Sequence, residues 1–343
     1  MKKLLNTLFI TQADTYLSLD GDNVIVLQKE EQLARLPLHN LESIVTFSHT
    51  GASPALMGYC AKRGISIVFL SPNGKLQARM VGESRGNVAL RKQQYRISDN
   101  LTSSCRIAGV FIVGKINNSK VMIDRAMREN RNRIDVKKLK VASNELSQMV
   151  KEIKRYKDLD LLRGFEGQAA LTYYQVFDQF ILQQKSDFYF KSRSRRPPLD
   201  RVNSMLSFAY TLLANDVASA LEAVGLDAYA GFLHRDRSGR PSLALDVMEE
   251  MRCVIADRFV LSLINKKVLR KGDFFKKEGG AFWMTDDARK KFLATWQNRK
   301  KEQLTHPYLK EKISWGLVPY AQSLLLARHL RGDLDEYPPF IWK

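Results

Sequence analysis

The sequence predicts an α+β protein, with a small N-terminal β-rich domain followed by a larger helical domain. Two observations carry this prediction. Over the first hundred residues, turn chemistry cuts the chain into short β-branched and apolar runs; from about Leu101 the apolar residues recur every three or four positions. A third observation is size, since 343 residues can bury a large core and suit two domains, placed at 1–100 and 101–343.

The elements follow in order. "LLNTLFI" reads as a first strand, because polar residues interrupt the run early and no small-residue cleavage site follows it. "TYLSLDGDNVIVLQ" reads as a hairpin, and "SIVTF" and "ISIVFL" as further strands, separated by "HTGASP" and "SPNG". Between them "PALMGYCAKRG" reads as one short helix ended by Gly64. "NELSQMVKEIKRY", "LLRGFEGQAALTYYQVFDQFIL", "VNSMLSFAYTLLANDVASALEAV" and "LDVMEEMRCVIADRFVLSLI" have helical spacing, the third ended by Gly225. "LRKGDFFKKEGGAFWM" is a hairpin by its Gly-Gly pair. Thr285 then caps a helix over "TDDARKKFLATW", and the prolines of "DEYPPFIWK" prevent a helix there.

Hydrophobic content of 45% and aromatic content of 10% exclude a disordered chain. Net charge is +19, with a pI of about 9.8. A surplus of that size points to a polyanionic partner, most simply nucleic acid. Residues 1–100 carry 12 Lys and Arg against 8 Asp and Glu, whereas the rest carries 43 against 28, so contact is expected mainly on the second domain. An acidic membrane surface is the competing partner, disfavoured because the charge is spread along the chain. Cys60, Cys105 and Cys253 are odd in number and lack CxxC spacing, which argues against a disulfide framework and a zinc knuckle. No run approaches the roughly 20 apolar residues of a membrane span, and the expected compartment is the cytoplasm.

Against this basic background, "GFLHRDRSGRPSLALDVMEEMR" gathers a histidine with several acids. Asp246 and Glu249 stand three apart after Pro241, the pattern of a capping box, or of two carboxylates on one flank of a helix. His234 precedes them in a loop. In "RGFEGQAALTYY", Glu166 shares a helical face with Leu162, Ala169, Ala170 and Tyr173, bracketed by Gly164 and Gly167. Glycines there let another group approach the backbone; alternatively Glu166 turns outward to pair with Arg163. One imidazole with two or three carboxylates suits Mg²⁺ or Mn²⁺ rather than a thiolate-seeking metal. Arg235, Arg237, Arg240 and Arg252 are candidates for phosphate contact. The basic loop "KSRSRRPPLDR" adds Arg193, Arg195 and Arg196, as a DNA clamp or a plain connector. Tyr173, Tyr174 and Tyr210 either line the site or belong to the core.

The motifs "FEGQAALTYY", "DRVNSMLSFAYTLL", "GFLHRDRSGRPSLALDVMEEMR" and "FFKKEGGAFWMTDDARKKF", in that order, resemble the CRISPR-associated integrase family, the catalytic subunit of CRISPR spacer acquisition. "HTGASPALMGYCAKRGISIVFLSPNGKLQAR" is similar to that family's N-terminal domain, and "EYPPFIWK" to its type I-C branch. The resemblance implies an N-terminal β-sandwich-like domain followed by a larger all-α catalytic domain. The resemblance implies a metal held by Glu166, His234 and Glu249, the last often aspartate in the family, with Asp246 a direct ligand, a supporting group or a cap. It implies attack by a DNA 3′-hydroxyl on a phosphodiester of double-stranded DNA at the repeat boundary, and DNA cutting when water replaces the hydroxyl. It further implies a homodimer through the N-terminal domains and a small ferredoxin-like companion protein. A non-catalytic nucleic-acid-binding module and a nuclease acting on RNA are the competing readings.

Overall fold

The computed structural model describes residues 7–12, 14–71, 76–80, 82, 88–153, 158–234 and 236–342. They form a mixed α+β protein in two compact units, 1–85 with 286–302, and 86–285 with 303–343. The expected boundary near residue 100 falls inside the second unit, because the segment before it is already helical.

In the first unit, strands β1 (Thr7–Ile10), β2 (Thr15–Asp20), β3 (Asn23–Gln28), β4 (Glu31–Pro37) and β5 (Ser43–Thr46) precede helix α1 (Pro54–Arg63), followed by β6 (Ser66–Leu70) and β7 (Leu76–Met80). β2, β3 and β4 make an antiparallel sheet. β1, β5, β6 and β7 make a second one, parallel except for β7. Asp20 pairs with Asn23, so the hairpin turns on two residues, and Gly21 supplies the positive φ of 57° that the turn requires. Leu17, Val24 and Val26 from one sheet and Ile10, Ile44 and Ile67 from the other share one core with Leu56 and Cys60 of α1. This is the expected sandwich-like arrangement. α1 begins at Ser53, whose side chain accepts from the Leu56 N–H, and ends at Gly64 with φ 70°. The segment 286–302 joins this unit late in the chain: Gln297 donates to the Thr7 carbonyl at 3.1 Å.

The second unit is mainly helical: α2 (Val88–Asp99), α3 (Leu101–Glu129), α4 (Val136–Ile153), α5 (Leu159–Gln175), α6 (Arg201–Ala223), α7 (Ser242–Glu249) and α8 (Arg258–Asn265). β8 (Phe274–Lys276) pairs with β9 (Phe282–Met284) across the Gly-Gly turn. The chain passes through α9 (Asp286–Lys301) into a second short ribbon, β10 (Gln303–Thr305) and β11 (Lys312–Ser314), and ends on α10 (Val318–Arg331) and a non-helical tail. The domain is therefore helical with two small ribbons rather than purely α. Asn100, Asp158 and Asp200 cap α3, α5 and α6 by accepting backbone N–H groups. α3, 29 residues long, is the spine; it packs against α4, α5 and α7 and buries Phe111, Ile112, Ile116 and Ile123.

The tail locks onto this spine through Glu250. Its fully buried carboxylate accepts from Gln322 Nε2 and the Phe340 N–H, both at 2.9 Å, and from the Tyr337 hydroxyl. Burial pushes its pKa up to about 7 in spite of these donors. Asn118 Nδ2 donates to the Glu250 and Phe340 carbonyls, both at 2.6 Å, and Asn118 Oδ1 accepts from the Trp342 N–H. Gly114 makes room for this: a Cβ there would lie 2.9 Å from Glu250 Cβ. Glu250→Ala leaves the Tyr337 hydroxyl and the Phe340 N–H without their acceptor and opens a cavity, so a loss of about 2–5 kcal/mol is expected in urea denaturation, with helical circular dichroism retained in the absence of urea.

Candidate metal and nucleic-acid site

The site candidates come from three elements. α5 carries Glu166, with Leu162, Ala169, Thr172 and Tyr173 on its buried face. α7 carries Asp246 and Glu249. The loop before α7 carries His234. That loop is held from behind: Gln94 Nε2 donates to the Asp227 and Ala230 carbonyls at 2.8 and 2.9 Å, and Ser98 to the Gly231 carbonyl at 2.7 Å. Gly231 is required, since a Cβ would fall 2.8 Å from Ser242 Cβ and 2.9 Å from an Asp246 carboxylate oxygen.

α7 starts at Ser242, immediately after Pro241, so the capping-box reading of Asp246 is wrong: the residue lies within the helix. Asp246 and Glu249, expected on one flank of the helix, are both buried. The Asp246 carboxylate faces the loop and accepts the N–H groups of Phe232, Leu233 and His234 at 2.6, 2.9 and 3.0 Å. Its Oδ1 lies 2.5 Å from His234 Nδ1. With the proton assigned to Nδ1, the ring is oriented by Asp246 and Nε2 is the nitrogen left to act as a ligand. Arg163 Nε donates to the Leu233 carbonyl at 2.8 Å and its guanidinium pairs with Asp160, so it ties α5 to the loop instead of pairing with Glu166.

Glu166 and Glu249 meet at one cation that the sequence reading missed. Lys115, buried on α3, places its ammonium against Glu166 Oε1 and 2.9 Å from Glu249 Oε2. Glu249 Oε2 is buried without an aligned hydrogen-bond donor. Arg252 pairs with the other oxygen of Glu249. Burial opposes the charge on Glu249, but Arg252 and Lys115, helped by the nearby His234, outweigh it and hold the carboxyl at about 2. The signal for Lys115 was a lone lysine in "FIVGKINNS", on the face shared with Phe111 and Ile112.

Among the described residues, no three His, Cys, Asp or Glu side chains form a ready-made metal shell. The donor chemistry nevertheless fits a hard divalent ion: two carboxylates already share one cation, one of their oxygens lacks an aligned donor, and an oriented imidazole lies close by. The close approach expected at the glycines flanking Glu166 is not found: nothing lies within 4 Å of a Cβ at Gly164 or Gly167.

Of the aromatic candidates, Tyr173 is buried, whereas Tyr174 and Tyr210 are half-buried. The Tyr174 and Tyr210 hydroxyls are 2.8 Å apart, and Tyr210 donates to Asp257 Oδ1 at 2.5 Å. Tyr173 packs against Tyr174 and Phe177. The guanidinium groups of Arg193 and Arg252 lie 5.2 and 5.1 Å from the Tyr210 ring centre. Arg193 also donates to Asn203 and Ser207, so it anchors its loop. Arg195, Arg196 and Arg237 are exposed and Arg240 is half-buried; Arg235 lies outside the described residues. A π-helical segment, Arg252–Asp257, follows α7 and carries both Arg252 and Asp257; nothing in the apolar spacing announced it.

Burial pushes Asp257 up to about 6 despite its hydrogen bond from Tyr210. The folded protein thus keeps a proton that the unfolded chain sheds near the ordinary value of 3.8. The resulting stabilisation is full below about 3.8 and is lost as pH rises through about 6. Asp257→Asn is expected to flatten that part of a plot of Tm against pH.

Comparison with known proteins places these features in context. The model of the family described as CRISPR associated protein Cas1 matches residues 8–298. The chain is 47% identical over 343 residues to a CRISPR-associated endonuclease Cas1 of Chlorobaculum tepidum, covering all of both chains. It is 48% identical over 347 residues to another from Rhodospirillum rubrum, again covering all of both. Among solved structures, a casposase bound to integration product superposes with a TM-score of 0.84 at 22% identity, covering 98% of this chain and 93% of that one.

Proposed function

The chain belongs to the CRISPR-associated Cas1 family, and from that membership we propose that it is a metal-dependent DNA endonuclease and integrase of CRISPR adaptation, inserting short DNA duplexes into the repeat array. The observation that carries the metal chemistry is the meeting of Glu166 and Glu249 at a single cation beside an imidazole oriented by Asp246. Glu166, His234 and Glu249 are the proposed ligands and Asp246 the residue that sets the histidine. A bound Mg²⁺ or Mn²⁺ would supply positive charge at the scissile phosphate.

The residues of the chain do the rest. Asp246 holds His234 in one tautomer and one orientation, so the ligand nitrogen need not be ordered when the metal arrives. Arg252 balances the buried Glu249. Arg195, Arg196, Arg237 and Arg240, none of them buried, are proposed to hold the DNA backbone and fix its register. In the transfer step the 3′-hydroxyl of the incoming strand gives its proton to solvent as its oxygen bonds to phosphorus; the bond to the 3′-oxygen of the repeat strand breaks, and that oxygen takes up a proton from solvent. Water in place of the incoming hydroxyl gives cleavage. The homodimer, the ferredoxin-like companion and the type I-C branch rest on the sequence resemblance. Among the described residues, no helix is long and apolar enough to cross a membrane.

Glu166→Ala is expected to lower strand transfer by at least about 100-fold, while duplex DNA affinity in a gel-shift assay stays within about threefold. Parallel collapse of binding, with no metal-dependent transfer by the unaltered protein, would identify a binding module instead. Matched RNA and DNA duplexes in competition test the RNA reading. DNA affinity should fall steeply with salt, by about 0.9 in log–log slope per neutralised phosphate; a flat dependence counts against the basic surface as the DNA-binding face. Asp246→Asn should weaken Mn²⁺ binding by about 10- to 100-fold, read by electron paramagnetic resonance of free Mn²⁺.

A further inference from the structure

We infer that Lys115 is the resident counter-ion of the Glu166–Glu249 carboxylate pair and that a divalent ion must displace its ammonium to bind. The inference rests on the metal reading above and adds a residue to it. Glu166 comes from α5 and Glu249 from α7, and the Lys115 ammonium joins them from α3. The side chains of Lys115 and Glu249 are 8% and 2% exposed, so neither charge is screened well by water. Without the lysine, the carboxylates of Glu166, 27% exposed, and Glu249, 2% exposed, would lose the cation they share, and Arg252 engages Glu249 from its other oxygen.

The backbone keeps the lysine there. Gly114 lets α3 approach Glu250 more closely than a Cβ would allow, and Asn118, one turn on, is bonded to the Glu250 carbonyl. Lys115 therefore emerges from a fixed stretch of helix, while its four-carbon stem leaves the ammonium free to swing. Metal binding becomes an exchange of cations. The lysine offsets the charge of both carboxylates when no metal is present, and its displacement lowers the apparent affinity for the metal.

The test measures Mn²⁺ binding to the full-length chain by electron paramagnetic resonance of free Mn²⁺, with Glu249→Gln as the background. Lys115→Met should bind Mn²⁺ about tenfold more tightly than the unaltered protein and show a larger Mn²⁺-induced rise in Tm, from a lower metal-free value. Lys115→Gln, which keeps hydrogen-bond donation and folds more readily, should show the same tightening. Lys115→Arg, which keeps the charge, should stay close to the unaltered protein. A purely structural lysine would not separate the neutral variants from arginine. If binding depends on Glu249 but is unchanged or weaker in both neutral variants, the inference is overturned and the metal reading stands. If binding by the unaltered protein is indifferent to Glu249→Gln, both fall together.

Discussion

Four carboxylates are buried between Asp246 and Asp257, and the cost of keeping each out of water shapes the helical unit. Each has a different solution. Asp246 is met by three backbone N–H groups and an imidazole, Glu249 by two cations, Glu250 by a tyrosine, a glutamine and a backbone N–H, and Asp257 by a tyrosine hydroxyl. The consequences differ accordingly. Glu249, met by charge, stays ionised, whereas Glu250 and Asp257, met by neutral donors, are pushed up to about 7 and about 6. Neighbours in sequence therefore separate into an acid suited to holding a cation and an acid suited to holding the fold.

A π-helical segment, Arg252–Asp257, follows the first three of these acids and carries the fourth. Arg252 at its start pairs with Glu249 three residues back, a spacing an ordinary helix also allows, while Asp257 at its end accepts from Tyr210 of α6. Arg252 and Arg193 both lie over Tyr210, so the acid-bearing helix and the basic 191–200 loop share one aromatic support.

Much of this was legible in the sequence. The period change, the two-residue hairpin, the Gly64 stop and the Gly-Gly ribbon all depend on local chemistry, and local chemistry suffices for them. The candidates Glu166, His234 and Glu249 were visible through motif order, since spacing alone cannot join residues so far apart. Other features were hidden for physical reasons. Asp246 looked like a cap because an acid three residues before a glutamate near a helix start is a cap by default; only the loop folded over it shows otherwise. Arg193 looked like a free positive charge because its acceptors, Asn203 and Ser207, lie on the next helix. Lys115 was passed over because a single lysine among apolar residues gives no hint of partners contributed by two distant helices.

The staple at Glu250 has a consequence for how the molecule is made. Asn118 and Glu250 reach their full complement of bonds only through Tyr337, Phe340 and Trp342. As the chain leaves the ribosome, the floor beneath the acidic helix stays open until these residues, 87 to 90 positions beyond Glu250 and 222 to 224 beyond Asn118, have emerged to close it.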